Sequence, residues 1–273
     1  MSELYTDTSE FAELTRKISD ERGFACASYK EKCLRRRVAV RMRARGVHTY
    51  AAYCRLLDSD ASEYEHLMDA LTINVTKLFR NWDSFAAIAR HVVPVLWARP
   101  ASSINVWSAG CSSGDEAYSL AILFHRHAAA AGALSRLDRV QILGTDIDRD
   151  SLSAAARGEF IESDFADTPH DIRSEYFHQM SPFTVRDDVR TLVRFERRDL
   201  LTEPPPRPPY DLIVCRNVLI YFDRFTQERL LEVFAAAIAP GGFLVLGRVE
   251  TLIGPARAGF FPVEARERIF RRA

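Results

Sequence analysis

The chain has 273 residues, of which 47% are hydrophobic and 27% charged, and its formal net charge at pH 7 is zero. This composition is ordinary for a globular protein and excludes a chain that is disordered throughout. Zero net charge excludes an overall field that attracts nucleic acid or membrane surfaces, so a partner drawn by charge must bind a local patch.

The cysteines and the apolar runs indicate the compartment. The five cysteines are scattered and lack C-x-x-C spacing, which favours reduced thiols and argues against a zinc site. No apolar run reaches the roughly 20 residues of a membrane span, and the acidic start MSELYTDTSE is unlike a signal peptide. We therefore expect a cytoplasmic protein with no metal centre and no membrane insertion.

Residues 1–82 lack the alternation of strands and predict a small helical domain. A first helix is expected after a cap at Ser9, with Phe11, Leu14 and Ile18 on one face. Further helices are expected over residues 29–45, 50–57 and 64–71. The second of these helices carries eight basic side chains against one acid, Glu31. Such a face is either a solvated surface or a docking surface for an acidic partner, and the residues leave both open.

From Trp82 onward helices and strands alternate, which predicts an α/β sheet. A helix over residues 85–96 leads to an apolar run at 104–107, which stops in the small residues of SAGCSSG and resumes at helical spacing. This strand, tight turn and helix predict a nucleotide-binding element at the carboxyl end of a strand. The spacing of Gly110 and Gly114 fits neither the dinucleotide fingerprint nor a P-loop.

Asp115 and Glu116 open the helix after this turn and indicate the chemistry of the ligand. Carboxylates at that place would repel a pyrophosphate, so we expect a ligand with positive charge or hydroxyls and no phosphate. S-adenosylmethionine (AdoMet) has this character, because it carries a sulfonium, an amino acid end and a ribose. The alternative is a glycine-rich turn of an unrelated α/β domain.

The second strand, expected over residues 140–145, ends in Asp146. An acidic residue at this place in such folds accepts hydrogen bonds from ribose hydroxyls. The alternative for Asp146 is a helix cap, although Asp148 is the better candidate for the cap of a helix over residues 151–157.

The stretch that follows does not fit a plain βαβ repeat. Two short strands at 183–186 and 189–193, around Asp187 and Asp188, predict a hairpin, and a core strand is expected at 192–195. The proline-rich run EPPPRPPY is interpreted as a stiff surface connector.

Residues 211–215 predict a buried central strand, and polar side chains that include Arg216, Asn217 and Tyr221 follow at its carboxyl end. A helix ended by Pro-Gly-Gly, a strand at 243–246 and a closing hairpin complete the chain. This ending is typical of the sheet of class I methyltransferases.

Seven segments, in this order, match one known family: YKEKCLRRRVAVRMRARG, INVTKLFRN, WSAGCSSGDEAYSLA, LGTDID, VRFERRDLL, YDLIVCRNVLIYFD and PGGFLVLGRVE. The chain resembles the CheR family of chemotaxis receptor methyltransferases over nearly its whole length. The resemblance implies an all-α domain over residues 1–82, with its basic helix at about 28–45. It also implies a class I, Rossmann-like AdoMet-dependent methyltransferase domain over 83–273, with a small inserted β-subdomain at about 161–191.

The resemblance further implies a set of cofactor contacts. They are Asn74, Thr76, Arg80, Ala109, Glu116, Asp146, Asp199, Leu200, Arg216 and Asn217. Arg80 and Tyr221 would lie nearest the transferred methyl group. The alternatives are a surface ion pair for Arg80 and a core aromatic ring for Tyr221.

The implied substrates and partners are methyl-accepting chemotaxis receptors, methylated on glutamate side chains of their cytoplasmic helical bundles. The expected docking surface on the basic helix consists of Arg36, Arg37, Arg41 and Arg43. The predicted hairpin lacks the Gly-rich loop of members that bind a receptor's carboxy-terminal pentapeptide, so we expect docking without one. Arg248 replaces a small residue or His at the substrate-side rim. We expect a monomer that binds no nucleic acid.

Two other functions stay open. A methyltransferase acting on nucleic acid or a small molecule would need a basic catalytic rim or an N-P-P-Y motif at the strand end, and the sequence shows neither. A non-catalytic AdoMet-binding signalling adaptor would be expected to lack Arg80 or Tyr221, and both are present.

Overall fold

The computed structural model describes residues 2–72, 76–100 and 102–273. The chain forms two compact units. The helical unit comprises Met1–Ile73 and Tyr221–Thr226, and the α/β unit comprises Asn74–Ile220 and Gln227–Ala273. None of the described helices is long and apolar enough to cross a membrane.

The helical unit is built from α1 (Ser2–Arg22), α2 (Glu31–Ala44), α3 (Tyr50–Ser59) and α4 (Ala61–Leu71). Their apolar faces form one core, in which Leu14, Leu34 and Leu67 are buried. The predicted cap at Ser9 is wrong, because α1 already begins at Ser2 and Ser9 is an exposed position within it. No Gly or Pro interrupts the residues before Ser9, so nothing stops the helix from starting earlier.

A buried ion pair lies inside the helical unit. Glu63 of α4 is 0% exposed, and Arg41 of α2 donates to both of its carboxylate oxygens, at 3.1 and 2.5 Å. The Tyr53 hydroxyl donates to the same carboxylate at 2.6 Å. Although burial opposes ionisation, these hydrogen bonds hold the pKa of Glu63 below its ordinary value. Arg41 therefore connects α2 to α4.

The strands of the α/β unit are β1 (Ile104–Ala109), β2 (Val140–Asp146), β3 (Glu159–Phe160), β4 (Phe183–Thr184), β5 (Val193–Arg197), β6 (Tyr210–Cys215), β7 (Ile238–Leu246), β8 (Phe260–Glu264) and β9 (Ile269–Arg272). In the described part of the chain, seven of them form one sheet in the order β5-β2-β1-β6-β7-β9-β8. The first five strands of this order are parallel, whereas β9 is antiparallel to both of its neighbours. This order confirms the predicted class I methyltransferase sheet and its closing hairpin.

The remaining helices are α5 (Trp82–His91), α6 (Val93–Trp97), α7 (Asp115–Ala130), α8 (Arg149–Arg157), α9 (His170–Tyr176), α10 (Asp187–Arg190) and α11 (Arg224–Ala237). The central strands β1 and β6 are covered on both faces, so Val106, Trp107 and Leu212 are buried. Burial on both faces explains why these strands are continuous apolar runs in the sequence.

The hairpin predicted around residues 183–193 is wrong. Strand β4 pairs with β3 in a separate two-stranded sheet, and Asp187–Arg190 forms the short helix α10. Carboxylates are favoured in the first turn of a helix, and this turn places Val189 in the core at 0% exposure. The strand expected at 192–195 is β5, which lies at the edge of the sheet.

Proline changes two other predicted elements. The helix expected over residues 85–96 is divided at Val92 into α5 and α6, because Pro94 cannot donate a helical hydrogen bond. Pro-Gly-Gly is expected to end the preceding helix, but α11 already ends at Ala237 and Pro-Gly-Gly lies within β7, which follows it directly. The pairing of β7 with β6 shifts register between Tyr210 and Leu212.

The ion pair inside the helical unit generates the first prediction. We expect Arg41→Ala to lower the free energy of unfolding by about 2 to 3 kcal/mol, because the Glu63 carboxylate stays buried and loses its two hydrogen bonds from Arg41. Urea unfolding measures the change. The matched control is Arg43→Ala, an exposed neighbour that should change stability by less than about 0.5 kcal/mol. Equal effects of the two substitutions would contradict this role of Arg41.

Candidate active site

The parallel strands bring the predicted cofactor residues to one edge of the sheet. Strand β1 lies between β2 and β6, so the residues that follow these three strands are neighbours at their carboxyl ends. Ala109, Asp146 and Arg216 stand at these ends. Open α/β sheets bind their ligands at this edge.

The turn after β1 is held against both neighbouring strands. The backbone N–H groups of Gly110 and Cys111 donate to the carbonyl of Thr145 at 2.8 and 2.9 Å. Gly110 has φ 80°, and a Cβ at this position would lie 2.6 Å from a methyl group of Val218, in the loop after β6. Only glycine therefore fits this turn, both for its conformation and for its close packing.

Asp146 both shapes the turn and keeps acceptor capacity. Its two carboxylate oxygens accept from the backbone N–H groups of Ser112 at 2.8 Å and Asp148 at 3.0 Å. A carboxylate has about four acceptor positions, so about two remain for a ligand. Burial raises the pKa of Asp146 and the two hydrogen bonds oppose that rise. Asp148 caps α8 as predicted, by accepting from Asp150 N–H at 3.0 Å, so Asp146 is not that cap.

Glu116 and Arg216 form a buried charged cluster. Glu116 is 8% exposed, and one carboxylate oxygen accepts from the Ser108 hydroxyl at 2.7 Å. Its other oxygen lies 3.6 Å from Nη1 of Arg216, a residue that is 6% exposed. Nη2 of Arg216 donates to the carbonyl of Arg80 at 2.6 Å and to the side chain of Asn81 at 3.3 Å. Burial raises the pKa of Glu116 and lowers that of Arg216, and their mutual attraction opposes both shifts.

The segment that carries Arg80 has a strained backbone. Phe79 and Asn81, on either side of Arg80, are non-glycine residues with φ 53° and 62°. The N–H of Phe79 donates to the Ser119 hydroxyl at 2.8 Å, and that of Asn81 donates to Asp167 at 2.9 Å. Strain that is held by such bonds is common where a side chain must be presented to a ligand.

The other predicted cofactor residues differ in how they are placed. Asp199 is buried, and its carboxylate accepts from Leu201 N–H and the Thr202 hydroxyl at 2.8 and 2.9 Å, so it shapes the turn after β5. Thr76 and Leu200 are half-buried. Asn74 lies outside the described residues.

Tyr221 belongs to the helical unit. Its carbonyl accepts from the N–H of Lys30 at 2.9 Å, and the Arg37 guanidinium lies 5.2 Å from the centre of its ring. The ring is half-buried, so Tyr221 is not one of the buried core aromatics. Its position beside the methyl group stays a prediction.

The predicted docking arginines divide into two pairs. Arg41 binds Glu63, and Arg37 donates to the carbonyls of Ala70 and Leu71 at 2.7 and 3.3 Å, at the end of α4. Arg36 and Arg43 are exposed. Only the second pair is therefore placed to meet a partner without breaking contacts inside the unit.

Arg248, expected at the substrate-side rim, is held by two acids. Its guanidinium lies 2.7 Å from Asp83 and 2.8 Å from Glu267. Two residues on, Glu250 is buried and accepts backbone hydrogen bonds from the loop after β6, a role that the sequence analysis missed. The only signal in the sequence was an acid shortly after a strand.

The residues present fit AdoMet. Among the described residues, the buried Ser112 hydroxyl and Arg216 Nε have no hydrogen-bond partner, and both lie at the carboxyl edge of the sheet. Elsewhere in the described part of the chain, Arg198 Nε and the Tyr210 hydroxyl are unpaired as well. A ligand bound at the carboxyl edge would supply partners for Ser112 and Arg216. The spare acceptor positions of Asp146 suit ribose hydroxyls.

The strand order, the glycine turn and the acid at the end of β2 define a class I AdoMet-dependent methyltransferase. Comparison with protein families gives the particular kind. The description "CheR methyltransferase, SAM binding domain" matches residues 74–268, and "CheR methyltransferase, all-alpha domain" matches residues 9–72. The chain belongs to the CheR methyltransferase family.

Several relatives are similar over most of this chain. It is 31% identical to the chemotaxis protein methyltransferase of Listeria innocua, over 92% of this chain and 93% of that protein. It is 33% identical to the chemotaxis protein methyltransferase of Klebsiella aerogenes, over 89% of this chain and 83% of that protein. An uncharacterized 104.1 kDa protein in the hypE 3'region of Rhodobacter capsulatus is 37% identical over 89% of this chain, which spans 25% of that protein.

Asp146 generates the second prediction. We expect Asp146→Ala to weaken binding of AdoMet and S-adenosylhomocysteine by about 2 to 3 kcal/mol, because it removes the acceptor for the ribose hydroxyls. Titration calorimetry measures both affinities. Asp148→Ala is the control, since loss of a helix cap should cost about 1 kcal/mol of stability and leave the affinities unchanged. Unchanged affinity in Asp146→Ala would remove Asp146 from the cofactor site.

Proposed function

We propose that this protein transfers methyl groups from AdoMet to glutamate side chains of methyl-accepting chemotaxis receptors, in the cytoplasm and as a monomer. The products are glutamyl methyl esters and S-adenosylhomocysteine. The main support is that both CheR parts match in one chain, and that relatives covered over most of their length are named chemotaxis protein methyltransferases.

The surface of α2 supports the choice of an acidic helical partner. Arg36 and Arg43 are exposed on this helix, and the side chain of Val40 between them is 49% exposed. A surface that combines positive charge with apolar area suits an acidic, amphipathic helix.

The proposed reaction requires no proton transfer to or from the protein. When bound, AdoMet supplies an electrophilic methyl group on a sulfonium. A glutamate side chain with a reference pKa of about 4.3 is already ionised near pH 7, so the chain needs no general base. Its residues must instead exclude water and hold the reacting atoms in line, about 3 to 3.5 Å apart.

The residues would divide this work as follows. Asp146 accepts hydrogen bonds from the ribose hydroxyls, and the loops that carry Asp199 and Arg216 flank the rest of the cofactor. Arg80 binds a carboxylate by paired hydrogen bonds, either that of the cofactor or that of the incoming glutamate. The Tyr221 hydroxyl orients one of the two reacting ends.

The direct test is incubation with AdoMet labelled in its methyl group and with purified receptor cytoplasmic domains. The proposal expects label on the receptor in a form released by mild base, as glutamyl methyl esters are. AdoMet binding without transfer to any receptor would favour the alternative, a non-catalytic signalling adaptor. Label in nucleic acid or a small molecule would overturn the proposed substrate.

The third prediction separates chemistry from binding. We expect Tyr221→Phe to lower kcat by about 10- to 100-fold and to leave AdoMet affinity nearly unchanged, because the lost hydroxyl acts on a reacting group. Steady-state kinetics and calorimetry measure the two quantities. Tyr29→Phe, a half-buried tyrosine of the same unit, is the control and should change neither. Weak AdoMet binding with normal turnover at saturation would instead place Tyr221 among the cofactor contacts.

The fourth prediction concerns docking. We expect the double variant Arg36→Ala, Arg43→Ala to raise the KM for receptor by about 3- to 10-fold at low salt, with AdoMet affinity unchanged. The effect should fade as salt rises, because the screening length is about 8 Å at physiological ionic strength. Arg149→Ala, an exposed arginine on α8, is the matched control. A receptor KM that ignores both salt and the double variant would contradict docking through α2.

The segment that spans β3 and β4 contains no glycine and so lacks the Gly-rich loop of members that bind a receptor's carboxy-terminal pentapeptide. We therefore expect a free pentapeptide to show no measurable binding. Fluorescence anisotropy with a labelled peptide tests this point. Micromolar binding would show that docking uses a tether, while leaving the methyltransferase reaction as proposed.

A further inference from the structure

Glu250 lies in the loop after β7 and is 3% exposed. Its Oε1 accepts from the backbone N–H groups of Val218 at 2.9 Å and Ile220 at 3.3 Å. Its Oε2 accepts from those of Asn217 at 3.0 Å and Gly247 at 2.5 Å. Three of these four donors belong to the loop after β6, which carries two predicted cofactor contacts, Arg216 and Asn217.

The atoms around this carboxylate are closely packed. A Cβ at Gly247 would lie 2.6 Å from Oε2 of Glu250 and 3.0 Å from the backbone N of Asn217. The end of β7, the carboxylate and the loop after β6 are therefore in direct contact. Substitution of Gly247 would disturb this contact without removing the carboxylate.

The hydrogen bonds also hold an uncommon backbone conformation. Asn217 has φ 61°, in the left-handed region, which asparagine adopts more readily than other non-glycine residues but less readily than glycine. Its N–H is one of the donors to Glu250. The carboxylate therefore stabilises the bend that begins directly after Arg216 and turns the chain away from β6.

A carboxylate is the group that suits this position. Both oxygens accept two hydrogen bonds each, and both are needed. A glutamine of the same size has one accepting oxygen, and its NH2 group would face two backbone N–H donors. Exchange of Glu250 for Gln should thus disrupt the loop while it keeps the side-chain volume.

We propose that Glu250 is a positioning residue for the cofactor: its carboxylate holds the loop after β6 in the conformation that binds AdoMet. The proposal rests on AdoMet binding at the carboxyl edge of the sheet and not on the identity of the methyl acceptor. The measured quantity is therefore affinity for S-adenosylhomocysteine, which does not depend on receptor methylation.

In the experiment, Glu250→Gln is compared with Glu267→Gln by calorimetry and by hydrogen–deuterium exchange. Glu267 is a matched control, because it is 4% exposed and accepts from Ser84 and Arg248. We expect Glu250→Gln to weaken binding of S-adenosylhomocysteine by about 10- to 100-fold and to speed exchange at residues 217–220. Glu267→Gln should change neither.

Gly247→Ala is the second variant, for the case that Glu250→Gln does not fold. It should weaken binding and speed exchange in the same loop, because the added methyl group displaces the carboxylate from Asn217. Unchanged affinity in a folded Glu250→Gln protein would overturn the proposal, as would unchanged affinity in Gly247→Ala where Glu250→Gln does not fold. So would an equal loss in Glu267→Gln, or a loss of affinity without faster exchange at residues 217–220.

Discussion

The buried guanidinium of Arg216 is the constraint on which the site depends. A charge taken out of water costs several kcal/mol unless it is paired, and Arg216 has three partners from two segments of the chain. Glu116 comes from α7, and the carbonyl of Arg80 and the side chain of Asn81 come from the segment before α5. Ser108 on β1 fixes Glu116 in turn. The position of the Arg80 segment therefore follows from the need to pair one buried charge.

Residues with a left-handed backbone conformation at this edge of the sheet share one pattern of hydrogen bonding. Four non-glycine residues around the site have left-handed φ values between 49° and 62°: Phe79, Asn81, Ser112 and Asn217. This conformation costs about 1 to 2 kcal/mol for Phe79 and Ser112 and less for the two asparagines. In every case the backbone N–H donates to a side chain, namely Ser119, Asp167, Asp146 and Glu250 in the same order. Three of the four acceptors are carboxylates, so acidic residues here serve to build turns.

These long-range acceptors mark the limit of what the sequence could predict. The strands, the glycine turn and Asp146 were predictable, because an apolar run that ends in small or acidic residues is a local signal. Glu250 lies 33 residues from Asn217 and Asp167 lies 86 residues from Asn81, so no spacing reveals either contact. The basic helix shows the same limit, since charge counts cannot show that Arg41 is bound to Glu63. The prediction of a hairpin around residues 183–193 is wrong because adjacent aspartates are equally compatible with a turn and with the start of a helix.

The pairing of the acids also bears on the proposed reaction. In the proposed reaction a carboxylate substrate would approach the edge of the sheet that carries Glu116, Asp146 and Glu250, and an uncompensated charge at about 4 Å would repel it by about 4 kcal/mol at an effective dielectric constant of about 20. Glu116 is paired with Arg216, Glu250 accepts four backbone N–H groups, and Asp146 accepts two. Local donors thus offset each negative charge at short range. Under the proposed function, the site would keep the acids that shape its turns and would still admit an ionised glutamate.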